Sequence, residues 1–407
     1  MRRFESFLIE QKNTHMEHIE DLVFNEGVNG ARQAINFLRD LRNMLAGNAD
    51  SAVSATVKWD GAPAVFCGID PSDGKFFVAK KGIFNKNPKV YKTPADVKAD
   101  TDGDLQTKLL LCLQHLPKLG IRKGVYQGDL MFTQSDLKNT TIDGEKYVTF
   151  HPNTILYAVP KKAAAEVNRA KVGIVFHTTY TGNSFENMRA SFGKNITSNF
   201  RKSRDVWAQD AIYKDVSGKA TFTADETAKV TSILSQAGRL FQGMAKETLN
   251  DISDNSELLL RVKTFNNTLI RAGKRPRTSA IVNSLVNYIT DYYKKEEDKR
   301  KTADGKQKQK DKARDILKYF STHSKSDIEK VYELMYLLVD AKQMIIDKMN
   351  EAGSIGTFVR TRNGFKTTSQ EGYVAIDKMS GGAVKLVDRM EFSRMNFNDD
   401  VIKGWQK

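Results

Sequence analysis

Apolar positions recur along the chain with two different periods, and the changes between them divide it. Ile35, Leu38, Leu41, Met44 and Leu45 share one helical face within residues 30–45, the spacing of an amphipathic helix, and residues 1–10 predict a shorter amphipathic start. From Ser51 to about Gly182 the texture is that of strands. Residues 51–59, 62–69, 75–82, 124–132, 153–160 and 171–180 are short β-rich runs parted by Pro, Gly, Asp and Asn. Asp70-Pro71-Ser72-Asp73-Gly74 predicts a turn between paired strands, and one helical stretch, 107–119, lies among the runs. From about Asn183 to Gly353 the pattern predicts helices only, over 223–249, 256–271, 279–301, 311–320 and 326–351. Ser326 followed by Glu329 predicts a capping box, and the charged run 294–314 predicts a helix end, an exposed turn and a helix start. Strand texture returns at Gly356 and holds to Phe397. These changes predict an α+β fold: an antiparallel-sheet domain, 51–182 plus 354–407, interrupted by a large all-α insertion, 183–353, and preceded by a helical segment, 1–50.

Composition narrows the function classes. At 407 residues the chain suits two or three domains, and 40% hydrophobic residues with only 8 Pro favour folded cores over disorder. A mean hydropathy of −0.49, with no apolar run near the ~20 residues of a span, excludes an integral membrane protein of helical type. Cys67 and Cys112 cannot make a disulfide framework or a cysteine zinc site, which suits a reducing cytosol. The net charge of +15 points to a polyanionic partner, nucleic acid first. The excess skips residues 1–50 and falls on both the strand-rich pieces and the helical block, which predicts a two-sided clamp. The six histidines lack metal-ligand spacing. Neither a Gly-x-Ser-x-Gly elbow nor a Gly-x-x-x-x-Gly-Lys-Ser/Thr loop occurs.

Candidate chemistry centres on Lys58-Trp59-Asp60-Gly61-Ala62-Pro63, where a lysine closes a strand ahead of a carboxylate and a glycine turn. A deprotonated lysine amine aimed at an electrophile is a covalent nucleophile. The same string also reads as a surface lysine before an Asp-Gly turn. Its companions follow in order: Gln127-Gly128-Asp129-Leu130, the strand Val172 to Phe176, Glu371-Gly372-Tyr373-Val374, and Val384-Lys385-Leu386. In this order the chain resembles the covalent nucleotidyltransferase superfamily of ATP-dependent DNA and RNA ligases and mRNA capping enzymes, over less than half its length. The resemblance implies that Lys58 attacks the α-phosphate of ATP and holds AMP as a phosphoramidate, with Lys385 on that phosphate. It further implies a nucleotide pocket of Asp60, Gly61, Asp129, Phe176, Glu371 and Lys385. Asp129 stands at the ribose position, Phe176 at the base-stacking position, and Glu371 places Mg2+ or Mn2+. Phe176 reads equally as a core residue. The chain departs from the family at Pro63, where DNA ligases continue to an arginine, at Asp129, usually glutamate, and at Val387, usually a second lysine. Arg389 replaces that cation only if its strand continues regularly.

Two basic clusters extend the reading. Lys80, Lys81, Lys86, Lys89 and Lys92 share one loop with Phe84 and Tyr91 and no acid, suited to phosphates and stacked bases or to a solvated hairpin. Arg271, Lys274, Arg275 and Arg277 join two helices of the insertion, where arginine forks suit phosphate and a helix C-terminus equally favours cations. Residues 1–10, with Leu8-Ile9-Glu10, resemble the head-targeting peptides of T-even-type tailed phages, which implies packaging in the capsid interior and injection into the host cytoplasm. The combined expectation is an ATP-dependent ligase-like nucleotidyltransferase acting on RNA or DNA ends or nicks. The short remainder after Phe397 leaves no place for an OB-fold there, which tilts the expectation towards RNA. The alternative is a non-catalytic nucleic-acid-binding or internal head protein that keeps the fold.

Overall fold

The computed structural model describes residues 16–47, 53–213, 220–352, 355–377, 382–396 and 398–406; the possible capsid-targeting peptide, 1–10, lies outside them. Three sheets carry the strand-rich part. The smallest joins β1 (Val53–Lys58), β13 (Gly372–Asp377) and β14 (Ala383–Leu386) in the order β1-β13-β14, all antiparallel. The second runs β10-β8-β4-β2-β3, from β10 (Val206–Asp210) through β8 (Val172–Thr181), β4 (Val125–Thr133) and β2 (Ala64–Ile69) to β3 (Phe76–Ala79). A further strand, β9 (Arg189–Phe192), also pairs with β8. The third runs β12 (Gly364–Thr367), β11 (Gly356–Thr361), β7 (Leu156–Pro160), β6 (Glu145–Phe150), β5 (Lys138–Ile142), with the short β15 (Val401–Ile402) on β11. Among the strand pairs of the described residues, only β10–β8 is parallel.

Alternation along the strands decides what each sheet covers. Val65 and Cys67 of β2 point into a core with Leu109 and Cys112 of α3 (Gly103–His115), which follows α2 (Pro94–Asp100), and with Leu116 just beyond α3. Met131 and Val175 point instead into a core shared with Val148, Phe150 and Tyr157 of the third sheet, so the second and third sheets pack on one another. Val53, Ala55, Tyr373, Ala375, Val384 and Leu386 bury the remaining sheet face against the helices. The helices are α1 (Gly27–Leu45), α5 (Ala224–Gly243), α6 (Lys246–Asp254), α7 (Ser256–Arg271), α8 (Thr278–Asp298), α9 (Ala303–Leu317) and α10 (Lys325–Asn350), while α4 (Ala165–Arg169) lies beside the second sheet.

Several boundaries correct the sequence reading. The all-α block begins at Ala224, not near Asn183, because β9 and β10 complete the second sheet. β10 is short, and its partner β8 lies about thirty residues earlier, so local periodicity does not disclose the pair. The N-terminal helix α1 is not a separate segment, since Ile35, Leu38 and Leu41 sit in the same core as α5, α7, α8 and α10. The 223–249 helix is broken at Met244 and Ala245, where the Lys246 amine donates to the Phe241 carbonyl. Ser324, not Ser326, caps α10, its hydroxyl accepting from the Asp327 amide at 3.1 Å. Beyond Asp388 the predicted strand is a helix, α11 (Arg389–Asn396).

One buried ionic cluster ties the N-terminal stretch, the helical block and the segment after β14 together. The Lys342 amine lies 2.8 Å from Glu20 and donates to the Val387 carbonyl at 2.9 Å, with both charged residues no more than 3% exposed. Arg389 pairs with Asp21 at 2.8 Å and reaches Asn267 at 2.7 Å. Burial alone would raise the Glu20 pKa, but Lys342, His18 and Arg389 hold it down at about 2. Removing one partner leaves an uncompensated buried charge. Lys342→Met is therefore expected to cost about 3–5 kcal/mol in urea unfolding, with most of the loss restored in the Glu20→Leu/Lys342→Met double variant.

Candidate active site at the end of strand β1

Lys58 ends β1 opposite Gly372. Thr56 lies opposite Val374, and Val374 lies opposite Lys385, so alternation puts Lys58 and Lys385 on the sheet face turned away from the helical core. Gly372 lets the strands meet there, since a Cβ at its φ of +149° would lie 2.5 Å from the Leu386 carbonyl oxygen. Glu371 precedes it, and its carboxylate forms an ion pair with the Lys58 amine. The Lys385 amide donates to the Glu17 carbonyl at 2.8 Å, so the N-terminal stretch borders β14.

Beyond Lys58 the chain crosses to the second sheet. The Asp60 carboxylate accepts from the Asn153 side chain at 2.6 Å and from the Thr154 and Ile155 amides at 2.7 and 2.8 Å. Its own amide donates to the Tyr157 hydroxyl at 2.7 Å. The Ala62 amide then donates to the Leu130 carbonyl, and the Leu130 amide to that of Pro63, both at 3.0 Å. A Cβ on Gly61 would lie 2.6 Å from that of Asp129; glycine thus allows the turn to press against β4. On β8 a register shift leaves His177 between the partners of Gln127 and Gly128, and its Nε2 lies 3.7 Å from the Asp129 carboxylate.

The result is a cleft holding Lys58, Lys385, Glu371, Asp129 and His177, with Lys81 near enough for its charge to act on Asp129. Burial raises the Asp129 carboxyl to about 7 against the opposing pull of Lys58 and Lys81. Burial likewise raises Glu371 to about 7, outweighing its Lys58 partner. The same desolvation, with Lys58 nearby, lowers His177 to about 4, so its ring is neutral at pH 7. Burial and the Lys58 charge also lower the Lys385 pKa. Lys385 makes no ion pair among the described residues, which leaves its ammonium available to an anion.

Other predicted residues are placed differently. Asp60 is 3% exposed and its oxygens are taken by protein donors, so it shapes the turn and does not reach a nucleotide. Gly61 likewise serves close packing. Phe176 is fully buried on the opposite sheet face, edge-on to Phe200 at 5.2 Å and Tyr126 at 6.4 Å; it is a core residue, not a stacking platform. His177, the next residue, takes the cleft side instead. Its only sequence signal is the alternation after Phe176. Phe84 reaches the same second-sheet face as Asp129, packed on Phe66 at 5.4 Å and Tyr180 at 4.9 Å.

The basic clusters are partly spent. Lys80, at 3.2 Å, and Lys89 both pair with Asp100 of α2, which also accepts from the Tyr91 hydroxyl at 2.7 Å. The loop's missing acid is thus supplied by a neighbouring helix, and Tyr91 is buried rather than offered to a base. Lys81 and Lys86 are exposed and make no ion pair among the described residues. Arg275 grips Asp340 through both nitrogens at 2.5 and 2.8 Å and lies over the Tyr336 ring at 4.5 Å, so it is not an open phosphate fork. Lys274 and Arg277 make no ion pair among the described residues, and Arg271 lies in the last turn of α7. Arg389 begins α11 and is held by Asp21, so it cannot replace a lysine at Val387.

A family model matches residues 13–401, nearly the whole chain. The chain belongs to DUF6267, a family of unknown function. No curated protein and no solved structure matches it. Among the described residues of this DUF6267 member, no helix is long and apolar enough to cross a membrane. No group of three or more His, Cys, Asp or Glu among them could hold a metal ion. A Mg2+ that keeps several waters and shares phosphate oxygens would need only one or two carboxylates from the protein, and Glu371 and Asp129 are the ones this cleft would offer.

The raised carboxyls give a pH signature. Between about pH 4 and pH 7 the folded chain keeps protons on Asp129 and Glu371 that the unfolded chain has released. Their contribution to stability is therefore full below about pH 4 and is lost as pH rises through about 7. Asp129→Asn removes its part of this loss. Thermal unfolding from about pH 5 to about pH 8 should show a smaller decline in the variant than in the parent chain.

Proposed function

We propose that this protein is a covalent nucleotidyltransferase with a ligase adenylation-type architecture, using Lys58 to take AMP from ATP for delivery to RNA or DNA ends. The observation that carries the reading is the pairing of the Lys58 amine with Glu371 on the sheet face that also bears Lys385. The order of motifs that resembles ATP-dependent ligases and capping enzymes supports it. A carboxyl raised to about 7 is matched to proton transfer at neutral pH, so Glu371 takes the proton that Lys58 must lose. The freed lone pair forms the bond from Nζ to the α-phosphorus, the bond from that phosphorus to the bridging oxygen breaks, and pyrophosphate leaves with the electron pair. Lys385, without an ionic partner among the described residues, steadies the charge on the α-phosphate. A divalent ion held by Glu371 and Asp129 would neutralise further phosphate charge.

Val387 shapes this chemistry by omission. Its buried side chain offers no cation, and the Lys342 amine on its carbonyl is committed to Glu20. Phosphate binding in the cleft thus falls to Lys385 and Lys81.

Incubation with α-labelled ATP and Mg2+ or Mn2+, followed by a denaturing gel, tests the proposal. A labelled band is expected, absent in Lys58→Ala and retained in Lys80→Ala. Glu371→Gln should slow its appearance by about 10²-fold or more. Absence of label with every nucleotide and metal tried would favour the non-catalytic reading, a nucleic-acid-binding or internal phage head protein.

A further inference from the structure

A groove of about 550 Å³ lies along β10, at the opposite end of the second sheet from β3 and its lysine loop. Four cations line it: Arg169 from α4, and Arg201, Lys202 and Arg204 from the stretch entering β10. All four are exposed, and none makes an ion pair or a side-chain hydrogen bond among the described residues. The only acid in the lining is Glu166.

The local structure explains why the positive charge is left over. Asp205 turns away, held by Lys118 and by His115 at 3.2 Å. Asp210 turns back on the 195–199 stretch, accepting from the Ile196 and Thr197 amides at 2.7 and 3.1 Å. The Arg201 amide donates to the Leu119 carbonyl at 2.8 Å. The Arg201 side chain lies so close to Gly120, φ +68°, that a Cβ there would sit 2.7 Å from its Cδ. The acids of this stretch are therefore satisfied internally, while its cations make no ion pair among the described residues and Arg201 is held against Gly120.

Two aromatic residues complete the lining. Phe200 is half-buried, whereas Trp207 is buried in the core between the second and third sheets, edge-on to Trp59, the residue after Lys58, at 6.5 Å. Four cations spread over two elements exceed what one phosphate group needs, and the partly exposed Phe200 beside them suits contact with an unpaired base. We propose that this groove binds the phosphodiester backbone of single-stranded nucleic acid, along an edge of the sheet distinct from the lysine loop. The proposal is independent of Lys58 chemistry, since a strand can be held whether or not the lysine carries AMP.

Fluorescence anisotropy with a labelled single strand of about twelve nucleotides, titrated over a range of salt, tests this. Each lost phosphate contact reduces the salt slope by about 0.7, so Arg201→Ala/Lys202→Ala/Arg204→Ala should reduce it by about 2. The same variant should bind at least about tenfold more weakly at ~0.1 M salt. Glu166→Gln should bind more tightly than the parent chain. An unchanged slope and affinity in the triple variant, with circular dichroism and melting temperature retained, would overturn the proposal. Complete displacement of the strand by equimolar pyrophosphate would also overturn it, by assigning the groove to a small anion.

Discussion

The buried carboxylate of Asp60 is the constraint on which the candidate site rests. With three donors from residues 153–155 on its oxygens and the Tyr157 hydroxyl on its amide, it fastens the turn after β1 to the third sheet. The next residues zip onto β4 of the second sheet. Losing one donor strands a buried charge, which costs more than an ordinary hydrogen bond. Lys58, two residues earlier, therefore sits where the three sheets converge. A motif aspartate expected to touch a nucleotide instead fixes the position of the nucleophile's strand.

From that fixed point the electrostatics follow. Gly61 brings the turn against Asp129, and Gly372 brings β13 against the end of β14. Together they draw two carboxyls and two lysines into a partly desolvated cleft. Desolvation raises both acids and opposes their ionisation, while the lysines oppose that rise. The site is thus poised near neutral pH by burial acting against the lysine charges. The Glu20–Lys342 cluster performs the corresponding task on the helical side, anchoring the chain just past Lys385 to α10.

Much of this was legible in the sequence where the signal was local. The six strand runs between Ser51 and Gly182 correspond to β1, β2, β3, β4, β7 and β8, and the Asp70–Gly74 turn links β2 to β3 with its Ser72 and Gly74 amides held by Asp70. The helices at 256–271 and 279–301 are close to α7 and α8. What escaped depended on distant partners. β10 owes its existence to β8, and α1 shows its membership of the helical core only when folded. Lys80 and Lys89 looked unopposed because Asp100 lies beyond the loop. Phe176 and His177 exchanged roles because strand alternation, together with a register shift, decides which of two neighbours faces the cleft. The groove beside β10 was hidden for the same reason: its stretch carries acids as well as cations, and only the fold shows which are satisfied.

The central claim is that Lys58 is a covalent acceptor of AMP. Intact mass and peptide mapping after incubation with ATP and Mg2+, before and after addition of pyrophosphate, address it most directly. The account predicts an increment of one AMP on the peptide containing Lys58, labile to acid as a phosphoramidate and erased by pyrophosphate with re-formation of ATP. An increment on any other residue, or an unmodified Lys58 in a folded chain under these conditions, would contradict it.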